Sequence, residues 1–595
     1  MRPIRHLLTA VIAALTLAGV SALAEQRPNI VFILADDLGW SDTTLYGTTK
    51  FLETPNIDLL AKRGMTFTNA YAANPLCSPT RASILTGLYP ARIGITAPVC
   101  HEPAVRLEAK LVEKAAPFQP ALQVVSASRL KTEYYTLAEA LHDAGYTTGH
   151  FGKWHLGQEP YSPLEQGFDA DVPHYSGPGP AGKNIAPWHF PAKLNFTGKP
   201  GEHIEDRMAN EAVEFIRANK DKSFFLNYWA FSVHAPFDAK ADLIKKYAAK
   251  ADPNDPQRCP VYGAMVQTFD ENVGQLIRVL DELKLTDNTI IVFFSDNGGN
   301  MYDRVDGIRG TMYDIYDRIN GISPTSNAPL RGGKATIYEG GTRVPCVVVW
   351  PSKVKPGSRS NAFLSSVDWY PTLLDMTGVT PKETVKFDGV SQKPALLGLG
   401  TPRDTVFCCF PHYAPATGGV PSVWVRRGDW KLIRFFYDGP EQTDRFELYN
   451  LKNDIGETKN VAAEHPDKVK EFDALISQHL KDINAVIPVK NPVYDSTAKA
   501  PEPGKKPQKD KAPVYNKTSG GKDVPTPQID ALAASGARFA SRYVTAPFCA
   551  ASRAALMTGR YQTRFGFEFN PIGVNQGKEI CGAYYVSVRR LDQIS

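Results

Sequence analysis

Two pairs of oxygen-bearing side chains, Asp36-Asp37 and Asp296-Asn297, each close a continuous apolar run. The first run is Ile30-Val31-Phe32-Ile33-Leu34-Ala35. The second is Thr289-Ile290-Ile291-Val292-Phe293-Phe294, joined to its pair by Ser295. Runs without polar alternation suit central strands buried on both faces of a parallel sheet. Ligands of open α/β sheets gather beyond the carboxyl ends of such strands. Four oxygen donors at two such ends could hold a hard divalent cation, Ca2+ or Mg2+. Either pair alone reads as a polar strand-to-loop turn. Between them lies a third feature, Cys77-Ser78-Pro79-Thr80-Arg81, followed by Ala82-Ser83-Ile84-Leu85-Thr86-Gly87. With both pairs flanking that cysteine, the metal reading becomes the stronger one.

Three more polar blocks follow. Phe151-Gly152-Lys153-Trp154-His155-Leu156-Gly157 is the first. Ser232-Val233-His234-Ala235-Pro236 comes after the apolar run Phe224-Phe225-Leu226-Asn227-Tyr228-Trp229-Ala230. Leu330-Arg331-Gly332-Gly333-Lys334 leads to Tyr338-Glu339-Gly340-Gly341-Thr342-Arg343-Val344-Pro345, whose glycines permit close backbone approach. Singly these are a surface lysine, a packed aromatic and a loop histidine. Together and in this order they carry a resemblance. Cys-x-Pro-x-Arg at 77–81 resembles the signature of type I sulfatases, in the alkaline phosphatase superfamily. The other blocks resemble that family's Gly-Lys-Trp-His, His-x-Pro and Lys-bearing glycine elements, over roughly 27–485.

The resemblance implies chemistry for each position. A formylglycine-generating maturation enzyme would oxidise Cys77 to the aldehyde formylglycine, whose hydrate is the nucleophile. Asp36, Asp37, Asp296, Asn297 and the modified Cys77 would ligate Ca2+, with Mg2+ the other candidate. Arg81 would stabilise the formylglycine oxygen and the negative charge of the site. Lys153 would touch formylglycine and a sulfate oxygen, and Lys334 would bind sulfate. His155 would hydrogen-bond the hydrate and help its turnover. His234 would contact sulfate and protonate the leaving oxygen. In the implied cycle one hydroxyl of the hydrate attacks sulfur, with cations stabilising the transition state. The alcohol then leaves, the second hydroxyl loses its proton, and collapse of the hemiacetal releases sulfate and restores the aldehyde.

The expected function is therefore hydrolysis of a sulfate ester, with a sulfated carbohydrate as the favoured substrate. Pro173-His174-Tyr175-Ser176-Gly177-Pro178-Gly179-Pro180 and Ala186-Pro187-Trp188-His189 look like a loop near the pocket, with groups suited to stacking on and hydrogen-bonding a sugar. Asn300 to Ala328 departs from the shorter family pattern, and this Tyr- and Arg-bearing insertion reads equally as a lining of the substrate pocket or as a surface excursion. Two other readings stand beside this one. A phosphonate monoester hydrolase or phosphodiesterase of the same superfamily could share the sheet, the metal and formylglycine. A non-catalytic sulfated-glycan binder would result if Cys77 escaped oxidation.

The elements around these blocks set the architecture. Apolar strand-like runs alternate with amphipathic helix patterns from 27 to about 380, among them a helix before Gly145 and another over Phe269 to Leu283. That order predicts an α/β fold: a large, mixed, mainly parallel sheet sandwiched by helices. Short strands at Val423–Arg426, Trp430–Arg434 and Phe446–Tyr449, then a helix from Pro466 to Leu480, predict a smaller antiparallel sheet with a C-terminal helix. The expected divisions are a signal peptide over 1–24, a catalytic domain over 25–395 and a subdomain over 396–488. A Pro/Lys/Gly-rich linker follows over 489–525, and a truncated second copy over 526–595.

That second copy is visible as a repeat. Between 54–94 and 526–566, 18 of 41 positions are identical without gaps. Cys549-Ala550-Ala551-Ser552-Arg553 echoes the signature with alanine in place of proline. The copy lacks the leading strand with its Asp pair, so no catalysis is assigned to Cys549.

At 595 residues the chain exceeds one ordinary core. A net charge of +5 gives no argument for a nucleic-acid partner. Arg2 and Arg5, the apolar stretch Leu7 to Val20 and Ala22-Leu23-Ala24 form a secretory leader with cleavage expected after Ala24. No later segment is long and apolar enough for a stable membrane span, so the mature protein is expected in the periplasm or secreted. Eight cysteines form no dense disulfide framework and no Cys-x-x-Cys zinc pattern.

Overall fold

The computed structural model describes residues 27–303, 305 and 322–499. The signal-peptide region, the body of the 300–328 insertion, most of the expected linker and the repeat lie outside them. The large sheet has eight strands: β1 (Asn29–Ala35), β2 (Met65–Tyr71), β3 (Thr147–Gly152), β4 (Ala170–Val172), β5 (Phe224–Trp229), β6 (Thr289–Ser295), β7 (Cys346–Val349) and β8 (Ser358–Ser365). Their spatial order is β8-β2-β7-β6-β1-β5-β3-β4. Only β7 runs antiparallel to its neighbours, β6 and β2. The apolar runs at 30–35 and 289–295 are adjacent central strands in parallel register, Ala35 beside Ser295.

Alternation through β1 explains its uniform apolarity. Val31, Ile33 and Ala35 enter one core layer. That layer is covered by α1 (Pro55–Arg63), α2 (Ile204–Ala218) and α3 (Pro260–Glu282). Ile30, Phe32 and Leu34 enter the opposite layer. The ten-residue helix that begins at Cys77, together with Leu137–Asp143 and Trp369–Thr377, covers that one. Each fully buried side chain of this kind contributes about 1.5–3 kcal/mol. A one-residue slip would exchange the two faces, so packing on both sides fixes where β1 ends and Asp36 begins. Helix α3 starts nine residues before the expected Phe269. Pro260 occupies its first turn, where a missing N–H costs nothing, and most of the residues after it are buried.

The second sheet is a four-stranded antiparallel meander: β9 (Thr405–Phe410), β10 (Ser422–Arg427), β11 (Trp430–Phe435) and β12 (Arg445–Asn450). Strand β9 was not among the expected ones. One face packs on the helix Pro466–Asp482 through Phe472, Ile476 and Leu480. The other packs Trp424, Ile433 and Tyr449 against Tyr71, Leu76, Ile337 and Phe363 of the larger layer system. The 25–395 and 396–488 portions thus belong to one compact unit. A buried ionic cluster lies between the two sheets. Lys431 Nζ is 2.9 Å from Glu339 Oε1 and 2.8 Å from Glu457 Oε1, all three without exposure. Glu457 also accepts from the Glu339 backbone N–H at 2.7 Å.

The chain stays on this unit past 489. Val489–Lys490 pairs with Ala121–Leu122, and the Asn491 amide donates to the carbonyls of Ala116 and Gln119. Among the described residues no helix is long and apolar enough to cross a membrane.

Candidate active site

The carboxyl ends of β1, β6, β3 and β5 converge on the N-terminus of the helix Cys77–Thr86. This helix is buried all round, so it lies inside the protein rather than on its surface. Cys77 occupies its first turn and Arg81 follows one turn later. The Arg81 guanidinium is fully buried and reaches Asp296 Oδ2 through Nε at 2.9 Å and through a terminal nitrogen at 2.8 Å. Its other terminal nitrogen donates to the Lys153 carbonyl at 2.6 Å. Lys153 Nζ lies 2.7 Å from Asp36 Oδ2, both groups wholly buried.

Asp37 adopts φ +61°, which turns the chain at the strand end. One of its oxygens accepts from Asn297 Nδ2 at 2.8 Å, and the other is 2.7 Å from Lys334 Nζ and 3.8 Å from His234 Nε2. Lys334 is held by its backbone N–H, which donates to the Gly299 carbonyl. Gly298 donates to the Gly341 carbonyl, and a Cβ at Gly298 would collide with the Gly340 carbonyl. Glycines therefore let the Asp296-Asn297 block and the Lys334 block meet backbone to backbone. His155 Nδ1 is 3.4 Å from Cys77 Sγ. All ten sequence-predicted positions, Asp36, Asp37, Cys77, Arg81, Lys153, His155, His234, Asp296, Asn297 and Lys334, lie in this one cluster.

Three buried carboxylates crowd the centre of the site. Ligand atoms of Asp36, Cys77 and Asp296 lie within 4.8 Å of one another. Burial and the charge of Asp36 push Asp296 up to about 7. Asp36 Oδ1 and Asn297 Oδ1 are buried without a hydrogen-bond partner. Orphaned acceptors of this kind are costly unless something else satisfies them. Oxygen donors from Asp36, Asp37, Asp296 and Asn297 fit a hard dication. Burial alone would raise Asp37, but Lys334, His234 and Lys153 outweigh it and hold it well below the usual carboxylate range. Burial raises the Cys77 thiol, so the unmodified cysteine is a poor thiolate nucleophile. Burial, reinforced by Lys153, keeps His155 neutral. Burial with Lys334 and Lys153 pushes His234 down to about 3. His234 Nδ1 donates to the Ala235 carbonyl at 2.6 Å, which leaves Nε2 facing Asp37 and Lys334.

Two contacts had no signal in the sequence reading. Glu205, buried at the start of α2, accepts from the Ser232 N–H at 2.7 Å and from the Tyr228 hydroxyl, so it fastens the turn that carries His234. His101 Nδ1 is 2.8 Å from His155 Nε2. The loop 173–180 does border the site: a Cβ on Gly179 would stand 3.6 Å from His234 Nδ1. Trp188, expected to offer a sugar a stacking face, instead packs inward on Phe190 and Phe196. Its indole N–H is used by the Asn184 carbonyl.

His174 anchors that loop between two carboxylates, Asp171 at 2.7 Å and Glu159. Its hydrogen bond to Asp171 is the main cause that pushes His174 up to about 9. Asp171, pushed up to about 6 by burial, is ionised above neutral pH. The folded value of His174 stands above its ordinary value near 6.5. Its stabilisation is therefore full below that value and lost as pH rises through about 9. Hydrogen exchange across 173–180, corrected for intrinsic rates, is expected to quicken above that pH while β1 stays protected. Unchanged protection of the loop would show that the triad does not hold it.

Comparison with known proteins agrees with this architecture. A family model described as Sulfatase matches residues 28–379 and again 510–579. A second, N-sulphoglucosamine sulphohydrolase, C-terminal, matches 333–485. The N-acetylgalactosamine-6-sulfatase of Rattus norvegicus is 33% identical over 523 residues, 80% of this chain and 90% of that protein. The N-acetylgalactosamine-6-O-sulfatase of Bacteroides thetaiotaomicron is 30% identical over 522 residues, 76% and 93% of the two chains. Among solved structures, Ps i-CgsB in complex with k-i-k-neocarrahexaose aligns with a TM-score of 0.60 at 27% identity, over 76% of this chain and 93% of its own. The fold and the relatives define an enzyme that hydrolyses sulfate esters, within the alkaline phosphatase superfamily. The chain belongs to the sulfatase family.

Proposed function

We propose that this chain is an exported carbohydrate sulfatase that acts through formylglycine at position 77. The observation that carries the reading is the set of groups around Cys77: a buried guanidinium, two lysines, two histidines and three carboxylates, drawn from four strand ends, the helix that Cys77 heads and the loop of Lys334. The hydrated aldehyde would supply a nucleophile that a raised thiol cannot. A Ca2+ or Mg2+ ion held by Asp36, Asp37, Asp296, Asn297 and residue 77 would neutralise the buried carboxylates and polarise an oxygen of the substrate.

The chain's own residues supply the rest. Arg81 ties Asp296 to the Lys153 backbone and balances the charge beneath residue 77. Lys153 and Lys334 present ammonium groups beside Asp36 and Asp37, where sulfate oxygens would bind. His234 rests neutral because burial, and then two facing lysines, lower its affinity for a second proton. An anionic ester offsets those lysines, so His234 takes a second proton on Nε2 and can give it to the leaving alcohol. Relatives named for 6-sulfated N-acetylgalactosamine, and a neighbour solved with a carrageenan oligosaccharide, support a sulfated carbohydrate as substrate. The basic and apolar leader before Ala24 supports export to the periplasm or the medium, and a maturation enzyme met on the way.

The test joins mass spectrometry to turnover. Protein made with a formylglycine-generating enzyme is expected to give a residue-77 peptide about 18 Da lighter than the thiol form, consistent with the aldehyde. It should release sulfate from 6-sulfated N-acetylgalactosamine or carrageenan oligosaccharides, and chelation should abolish that release. Faster cleavage of phosphate diesters or phosphonate monoesters would reassign the enzyme. A persistent thiol with saturable glycan binding and no turnover would make it a binder.

A further inference from the structure

His155 is 1% exposed, and its two ring nitrogens have different partners. Nδ1 faces Cys77 Sγ at 3.4 Å, and Nε2 meets His101 Nδ1 at 2.8 Å. The backbone of His155 is fixed too, because the Ser78 hydroxyl donates to its carbonyl at 2.7 Å. The ring therefore cannot turn to offer its other edge. One proton lies between Nε2 of His155 and Nδ1 of His101, and whichever ring owns it decides what His155 presents to residue 77. The second ring nitrogen of His101 lies on the side of the ring that reaches solvent, where it can keep a proton. Burial also lowers its affinity for a second proton. A neutral His101 with its proton on Nε2 can only accept from His155 at Nδ1.

The segment that carries His101 is held for this purpose. Buried Arg129 donates to the carbonyls on both sides of it, Cys100 at 3.0 Å and Glu102 at 2.6 Å. His101 thus stands on a clamped backbone although its own ring reaches solvent.

We propose that His101 is a positioning residue: it accepts the Nε2 proton of His155 and so keeps the Nδ1 lone pair of His155 aimed at residue 77. The inference rests on the sulfatase reading for its kinetic consequence but not for its geometry. The lone pair is what a group at residue 77 needs in order to lose a hydroxyl proton, and a proton on that nitrogen would block it.

The experiment uses the full chain with His101→Leu and His101→Gln. A glutamine carbonyl can accept from Nε2; leucine cannot. With the matured enzyme, kcat for a sulfated sugar is expected to fall about 10- to 100-fold in the leucine variant, the range typical of lost outer-shell partners. KM should stay within about twofold, and glutamine should restore most of the rate. Independently of turnover, 15N spectra of histidine-labelled protein, with His155 assigned by its own substitution, are expected to show one tautomer, protonated at Nε2. The leucine variant should show a mixture or the opposite tautomer. A His155 tautomer unchanged by leucine, or a glutamine variant as slow as leucine, would overturn the assignment. Absence of sulfatase turnover in the parent would refute the functional reading instead, and the spectra would still judge His101.

Discussion

Cys77→Ala protein, matured and assayed beside the parent, is expected to lose kcat on the order of 10⁶-fold, the scale seen when a covalent nucleophile is removed. No neighbour can take over. Ser78 is next in the chain, but its hydroxyl is committed to the His155 carbonyl. Cys100 is buried, and burial raises its thiol to about 12. The fold should survive, because Cys77 is small and the helix it heads is packed through Ala82, Ile84 and Leu85. A melting temperature close to that of the parent would show that chemistry rather than folding was lost. Retention of even a few per cent of sulfate release would mean that another group attacks sulfur.

The second large effect belongs to His234→Ala. As the proton donor to the leaving oxygen, His234 should be worth about 10²- to 10⁴-fold in kcat on a sugar sulfate. A sugar alkoxide is a poor leaving group and needs that proton. A nitrophenolate is stable as an anion and does not. The same variant should therefore lose little on nitrophenyl sulfate. The parallel assay separates proton donation from binding, because a residue that merely held sulfate would slow both substrates alike. An equal loss on both would move His234 from general acid to sulfate ligand. Lys334 and Lys153, the cations that face it, would then share the task.

The parts that were legible in the sequence share a cause. Strands β1 and β6 are buried on both faces, so their apolarity is continuous and the polar residues that end them stand out. Glycine blocks announce close backbone approach, as Gly298 and Gly340 bear out. Contacts that depend on tertiary geometry left no such mark. His101 is 54 residues from His155 in a stretch with no periodicity. Glu205 opens a helix beside Asp206, where an acidic residue is expected to face water and favour the helix N-terminus. Its burial comes from β5 and the His234 turn, both far along the chain. Trp188 failed in the other direction. A tryptophan flanked by Pro187 and His189 looks like an exposed loop aromatic, and only the positions of Phe190 and Phe196 explain why it turns inward. Strand β9 was missed although Thr405, Val406 and Phe407 favour a strand, because the adjacent cysteines 408 and 409 break the alternation that pairing with β10 makes plain.

The ionic cluster under the small sheet limits how this family can be recombined. Glu339 lies five residues after Lys334, in the same glycine-rich block, while Lys431 and Glu457 come from the C-terminal sheet and the loop after it. Grafting a relative's C-terminal segment onto this scaffold would take Lys431 from Glu339 and leave that buried carboxylate to Arg343 and the Tyr71 hydroxyl unless the lysine came with it. The C-terminal segment is thus chemically wired to the glycine-rich block that also carries Lys334, and the two must be inherited together.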